Sequence, residues 1–288
     1  MKFSTSVTFL TPKYMKLIAD SGSTKTDWCV VSNDNSVVAR MATQGINPFH
    51  MTDDTIIGIL RTELLPQLLS YPITDIEFYG AGCTTAKIPV MQAILSDALP
   101  SAHTVIVGSD MLGADKALLG SNEGIACILG TGANSCLYDG EKIISNVSPM
   151  GYILGDEGSG AVIGKTFINT LYKGDHPEFI PVFEHETHLT QTDIIQKVYK
   201  EPLPNRFLAS LSTFISTHIS DTPWLSDMVT SCFRDFFRKN VSHYHRPDLP
   251  VCFVGSIAYH YHSQLTQAAA LEGYKLGKIM KTPLEGEG

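Results

Sequence analysis

The alternation of apolar and polar positions divides the chain into two similar runs. Apolar and β-branched residues at 17–19 and 28–31 flank a short polar turn, and 36–42 supplies a further strand pattern, so a three-stranded meander is predicted. Residues 53–69 place Ile56, Ile57, Leu60, Leu64 and Leu65 on one helical face. A strand at 75–80, a helix at 87–99, a strand at 103–107 and a helix at 112–119 come next. The pattern then restarts: a strand at 124–129, a Gly/Thr/Asn turn, a strand to Tyr138 and a third at 141–146. After a glycine-dense stretch at 150–161, helices are expected at 160–171, 192–200, 205–216 and 225–240, the last with Val229, Cys232, Phe233, Phe236 and Phe237 as a core stripe. Residues 173–190, rich in Pro, Glu and His, read as a surface excursion. A buried strand at 249–254 and a helix at 257–272 close the series. Meander, helix, strand, helix, strand implies a mixed sheet covered by helices, and its recurrence implies an internal duplication.

Composition sets the bounds around this α/β reading. At 288 residues two lobes are the natural expectation, divided at 15–117 and 118–288, with a last helix able to pack back on the first lobe. No apolar run approaches the roughly 20 residues that span a bilayer. Twenty-one Lys and Arg against 29 Asp and Glu give a net charge of −8, and no basic stripe is present, which argues against nucleic acid as a partner. Cys29, Cys83, Cys127, Cys136, Cys232 and Cys252 lie in apolar runs without a C-x-x-C pair, so free thiols in a reducing cytoplasm are expected rather than disulfides or zinc. Residues 1–14 differ in pattern from the rest of the chain. Met15 directly precedes the first strand and reads as a natural start, with 1–14 an appendage and the closing Pro283 to Gly288 stretch a short ending.

The two hairpin turns carry the candidate chemistry. In the first, Gly22, Ser23, Thr24 and Lys25 could wrap an anionic phosphate with backbone N–H groups, hydroxyls and an ammonium, while Asp20 at the strand end could hold hydrated Mg2+. An ordinary solvated hairpin satisfies the same residues. The second turn, Gly130-Thr131-Gly132, repeats the arrangement and strengthens the phosphate reading. Gly151, Gly155, Gly158 and Gly160 are more glycines than a helix cap requires, so this loop reads as a ligand loop in which Asp156 could accept hydrogen bonds from hydroxyls. Gly255 and Ser256 would let an adenosine lie against the backbone, although a tight turn explains them equally well. Asp110 stands at the carboxyl end of a strand, where ligands of open α/β sheets bind, but on spacing alone it is a helix cap.

Together the motifs DSGSTKT at 20–26, GINPF at 45–49, GSDMLGA at 108–114, GTGANS at 130–135, GYILGDEGSG at 151–160 and VGSIA at 254–258 resemble the N-acetylglucosamine kinase and BadF/BadG ATPase family of the sugar kinase and actin-like ATPase superfamily. The resemblance implies a two-lobed, duplicated ribonuclease H-like fold with ATP and Mg2+ in an interlobe cleft. It implies phosphate contacts from Thr24 and Thr131, metal assistance from Asp20, adenosine contacts from Gly255 and Ser256, and sugar contacts from Asn47, Gly151, Tyr152 and Asp156. Asp110 matches the catalytic base. The implied activity is ATP-dependent phosphorylation of an amino sugar by a cytoplasmic enzyme, with a homodimer as one assembly open to it. Alternatives are a redox-activator ATPase, disfavoured by the dispersed cysteines, and a non-catalytic sugar or nucleotide sensor. Ser21 and Ser23 depart from the family, which commonly has glycine at both positions.

Overall fold

The computed structural model describes residues 14–22, 24–34, 36–174 and 176–286. The expected appendage, Tyr14 apart, and the assignment of Ser23 to phosphate lie outside the described residues. Contacts divide the chain into two compact units, one running to Asp110 and the other spanning Met111–Glu285.

In the first unit, β1 (Met15–Ser21), β2 (Lys25–Ser32) and β3 (Val37–Gln44) form the meander, and β4 (Ile73–Gly80) and β5 (Thr104–Ser109) complete a sheet of order β3-β2-β1-β4-β5. β1 is antiparallel to β2 and parallel to β4. Covering helices are α1 (Asp53–Ile59), a π turn over Leu60–Leu64, α2 (Leu65–Leu68) and α3 (Ile88–Ala98). The central strands are buried along most of their length, whereas β3 at the edge alternates between half-buried and exposed positions. Leu17, Ala19, Trp28, Val30, Ile56, Leu60, Phe78, Met91 and Leu95 meet in one core. Of the helical face predicted at 53–69, Ile56, Leu60 and Leu64 are buried and Leu65 is half-buried, whereas Ile57 is exposed and Ile59 takes its place in the core.

The second unit begins within α4 (Asp110–Leu119) and repeats the topology with β6 (Gly124–Leu129), β7 (Ala133–Tyr138), β8 (Ile143–Asn146), β9 (Val251–Val254) and β10 (Leu276–Met280) in the order β10-β9-β6-β7-β8. Read from the third strand of each meander, both sheets follow the same path with the same parallel and antiparallel pairings. This is a duplicated ribonuclease H-like fold of the actin-like ATPase type.

Between β8 and β9 lie α5 (Gly151–Leu154), α6 (Gly160–Lys173), α7 (Ile180–Thr187), α8 (Gln191–Tyr199), α9 (Pro204–Ser210), α10 (Ser212–His218) and α11 (Pro223–Lys239). After β9 come α12 (Ser256–His260) and α13 (His262–Leu271), the latter burying Leu265, Ala268 and Ala269. The surface excursion expected at 173–190 is corrected by α7, which lies within it, and by Phe183, fully buried with its ring 5.5 Å from Phe167 and 5.2 Å from Phe214. Of the eight residues of α7 only Phe183 is buried, and one buried residue is enough to dock a short helix yet leaves little periodic signal. β10 escapes the sequence pattern because it is an edge strand whose central residues face solvent.

Candidate functional site

In the first unit the candidate groups gather at the carboxyl ends of β1, β4 and β5. The strand register sets Asp20 directly opposite Asp27 on β2, so both carboxylates share a face. Burial, then Asp110 beyond the end of β5, then Asp27 push the Asp20 carboxyl up from its ordinary 3.8 to about 7. Asp110 acts on the Cys83 thiol as well, which burial drives up to about 12 with Asp110 adding to the effect. Asp20, Asp27, Asp110 and the Gly80–Cys83 turn thus share one electrostatic neighbourhood.

The turn between β1 and β2 is closed by Gly22 N–H donating to Lys25 O at 3.0 Å, so that N–H is not among those the turn presents. The Lys25 ammonium lies on Asp27 at 2.5 Å. Asn47 is nearly buried, and its Oδ1 accepts the Phe49 N–H at 3.0 Å. Gly82, at φ 78°, permits that placement, because a Cβ there would collide with Asn47 Oδ1. Sequence reasoning does not single out Asp27. Its signal is the hairpin register, which puts it seven residues after Asp20 on the neighbouring strand.

In the second unit the glycine turn rests on the start of α6. Gly160 N–H donates to Gly130 O at 2.8 Å and Ala161 N–H to Thr131 O at 3.2 Å, while Ser159 Oγ accepts from Val162 N–H. The orphan donors of that helix end are thereby satisfied within the protein. Space above Gly130 is open, so a side chain there would fill the cradle.

Asp156 adopts φ 53°, unusual for a residue with a side chain, and is flanked by Gly155 and Gly158. This turns its carboxylate onto Gly132, where a Cβ would lie 3.1 Å from Oδ2. Burial, with a smaller push from Glu157, raises the Asp156 carboxyl to about 6, against the pull of the Ala133 N–H and Lys165. Gly255, at φ 125°, passes so close to Leu129 O that only glycine fits, and Ser256 then opens α12 exposed to solvent. Gly130, Thr131, Gly132, Asp156 and Gly255 are accordingly brought together within this unit. Gly151, at φ 74°, opens α5 beside the Asp156 turn, since Gly155 N–H donates to Gly151 O at 2.7 Å and Asp156 N–H to Pro149 O at 2.8 Å, and Lys165 Nζ donates to Tyr152 O at 2.9 Å.

Among the described residues, no group of three or more His, Cys, Asp or Glu is arranged to hold a metal ion by itself. Magnesium does not require one: it is commonly held by one or two carboxylates, with phosphate oxygens and water completing the shell. The crowded Asp20 and Asp27 pair, hard oxygen donors of which Asp27 is met by the Lys25 ammonium while Asp20 feels the charges of Asp27 and Asp110, fits such an ion.

A sheet of this topology occurring twice is the architecture of sugar kinases and actin-like ATPases, and the solved structures agree. A glucokinase of the ROK family from Streptomyces griseus, in complex with glucose and AMPPNP, superposes with a TM-score of 0.57 at 12% identity over 95% of this chain and 96% of its own, a likeness of fold alone. The chain belongs to the N-acetylglucosamine kinase family of that superfamily. A crystal structure provisionally described as N-acetylglucosamine kinase from Porphyromonas gingivalis is 50% identical, with a TM-score of 0.91 over 94% of this chain and 96% of that one. An N-acetylmuramic acid/N-acetylglucosamine kinase from Clostridium acetobutylicum is 25% identical over 218 residues, 69% of this chain and 68% of the relative. No family model matches the chain. Among the described residues no helix is long and apolar enough to cross a membrane.

Proposed function

We propose that the protein phosphorylates an amino sugar with ATP and Mg2+, with N-acetylglucosamine the first candidate and N-acetylmuramic acid the next. The names of the Porphyromonas and Clostridium relatives support the substrate class, and the AMPPNP complex of the Streptomyces glucokinase supports the nucleotide. The observation that carries the reading is the placing of Asp110 at the end of β5, near enough to Asp20 to raise its pKa. Phosphoryl transfer asks for little beyond alignment, charge neutralisation and a proton acceptor for the attacking hydroxyl.

In this reading Asp110 takes the proton of the sugar hydroxyl. Thr24, Lys25 and Thr131 serve the phosphates, and Gly130, Gly132, Gly255 and Ser256 let the nucleotide approach the backbone. Magnesium, when bound, neutralises phosphate charge; Asp20 would hold it, and a cation there would relieve the repulsion that Asp20 now feels from Asp27 and Asp110. Asn47 offers its amide N–H groups, since its Oδ1 is engaged by Phe49, and Gly151, Tyr152 and Asp156 complete the sugar contacts. The six buried free thiols suit a reducing compartment such as the cytoplasm. ADP release measured over a panel of amino sugars tests the proposal: sugar-dependent release that collapses in Asp110→Asn is expected, and release that ignores every sugar would overturn it.

A further inference from the structure

Ser21 stands where the family commonly has glycine, and no step of the proposed reaction uses it. Its side chain does not crowd the phosphate turn, because it points into the protein. Ser21 Oγ and Thr26 Oγ1 are fully buried and 2.6 Å apart across the β1–β2 pair. Both reach the segment that leads to Asn47. Ile46 N–H is 3.1 Å from each hydroxyl oxygen, Ser21 Oγ donates to Ile46 O at 2.9 Å, and Thr26 Oγ1 lies 3.1 Å from Gln44 O.

Each hydroxyl has one proton and two lone pairs. If Ser21 gives its proton to Ile46 O, Thr26 can give its own to Ser21 Oγ or to Gln44 O, and the latter is served in any case by Thr43 Oγ1 at 3.0 Å. The network is therefore satisfied in either arrangement, and a satisfied buried network holds its members together as one unit.

Two further ties hold the same four residues. Gly45 N–H donates to Thr24 O at 3.1 Å, joining the segment to the phosphate turn itself. From the outer side Glu63, in the π turn, accepts from Gln44 N–H at 2.8 Å and from Gln44 Nε2 at 2.5 Å. Residues 44–47 thus carry a sugar-binding candidate at one end and are fastened to the nucleotide turn along their length.

We propose that Ser21 and Thr26 are positioning residues that couple the nucleotide turn to the Asn47 loop, so that ordering of the turn by phosphate pre-orders the loop for sugar. The proposal rests on the kinase reading. Occupation of the turn restrains Thr24, hence Gly45, while the buried hydroxyl pair keeps Ile46 in step. By linkage, nucleotide and sugar then tighten each other's binding.

The test uses the full chain and its Ser21→Ala, Thr26→Val and Thr26→Ser variants. Three quantities are compared: AMPPNP affinity without sugar, the KM and kcat for the amino sugar that wild type turns over, and amide exchange over residues 44–49 with and without Mg-AMPPNP. Losing one or two net hydrogen bonds from the loop should raise the sugar KM about tenfold. AMPPNP affinity should stay within about twofold, since those variants leave the turn's own groups in place. Nucleotide-dependent protection of 44–49, expected in wild type, should vanish in Thr26→Val and return in Thr26→Ser. Equal losses of sugar and nucleotide affinity, or unchanged KM and protection, would overturn the coupling. So would a wild-type protein that binds AMPPNP and phosphorylates sugar without protecting 44–49, and that result would leave the kinase reading standing. A wild-type protein that binds no nucleotide would overturn both. If the buried variants do not fold, Glu63→Ala, which removes both acceptors that hold Gln44 at the outer end of the ties, is compared in the same three quantities.

Discussion

Asp20→Asn should stabilise the protein while disabling it. In the native protein the carboxyl is raised from 3.8 to about 7 by burial and by the charges of Asp110 and Asp27. Between those values the folded chain binds a proton that the unfolded chain has released, so stability falls as pH rises through the window and the full penalty is present above it. At about 1.4 kcal/mol per pKa unit the ceiling on that penalty is about 4 kcal/mol, and relaxation around the site brings the expected figure to about 1–3 kcal/mol. Asn has nearly the same shape, carries no charge and can donate toward the neighbouring carboxylates. In EDTA at pH 8, Asp20→Asn should therefore melt several degrees above wild type, and the difference should fade as the pH approaches 4, where the folded wild-type carboxyl is protonated and no longer carries the buried charge. Adding Mg2+ with ATP should raise the wild-type melting temperature more than that of the variant, whose turnover should be severely reduced. A variant less stable than wild type at pH 8, or a gain of equal size at pH 4 and pH 8, would refute the reasoning.

Other expectations concern single groups. Asp110→Asn should fold and bind both substrates, because Asn caps a helix about as well as Asp, yet lose at least about 10²-fold in kcat, the lower range for removal of a general base. Thr131→Val should weaken ATP binding by about 1 kcal/mol if its hydroxyl contacts phosphate, which calorimetry can check. Asp156→Ala should abolish sugar-dependent turnover and leave AMPPNP binding; the opposite pattern would exchange the two subsites. Gly255→Ala sets a Cβ against the Leu129 carbonyl at a φ that side chains resist, so nucleotide affinity should drop markedly and thermal stability by about 1–3 kcal/mol.

The strands of both meanders are legible in the sequence because half-buried hairpins alternate and their turns announce themselves with glycine. The position of Asp110 between β5 and α4 is legible for a different reason, since an apolar strand run ends just before it and a helical run begins just after it, whereas spacing alone gives it no role beyond a cap. What stays hidden is set by contacts distant in sequence. Ser21 meets Ile46 twenty-five residues away, and no local pattern marks a serine whose partner is a backbone carbonyl on another strand's exit. Asp27 reads as a polar position on a strand until the register places it opposite Asp20. The contact of Asp156 with Gly132 depends on a left-handed backbone angle that Asp tolerates but does not advertise. α7 and β10 escape notice because a short helix and an edge strand bury too few residues to impose a period.

All six cysteines are free and buried, Cys29 and Cys83 in the first unit and Cys127, Cys136, Cys232 and Cys252 in the second. A thiol reagent added to the native protein can reach them only when the surrounding structure opens, so each unit carries its own reporters without any introduced label. Where reclosing is fast, the rate of modification measures the free energy of the opening that exposes each thiol. Mass spectrometry of the labelled peptides would then show whether Cys29 and Cys83 become reactive in step with the other four or on a separate clock. Added nucleotide should slow whichever clock belongs to the unit it binds more tightly.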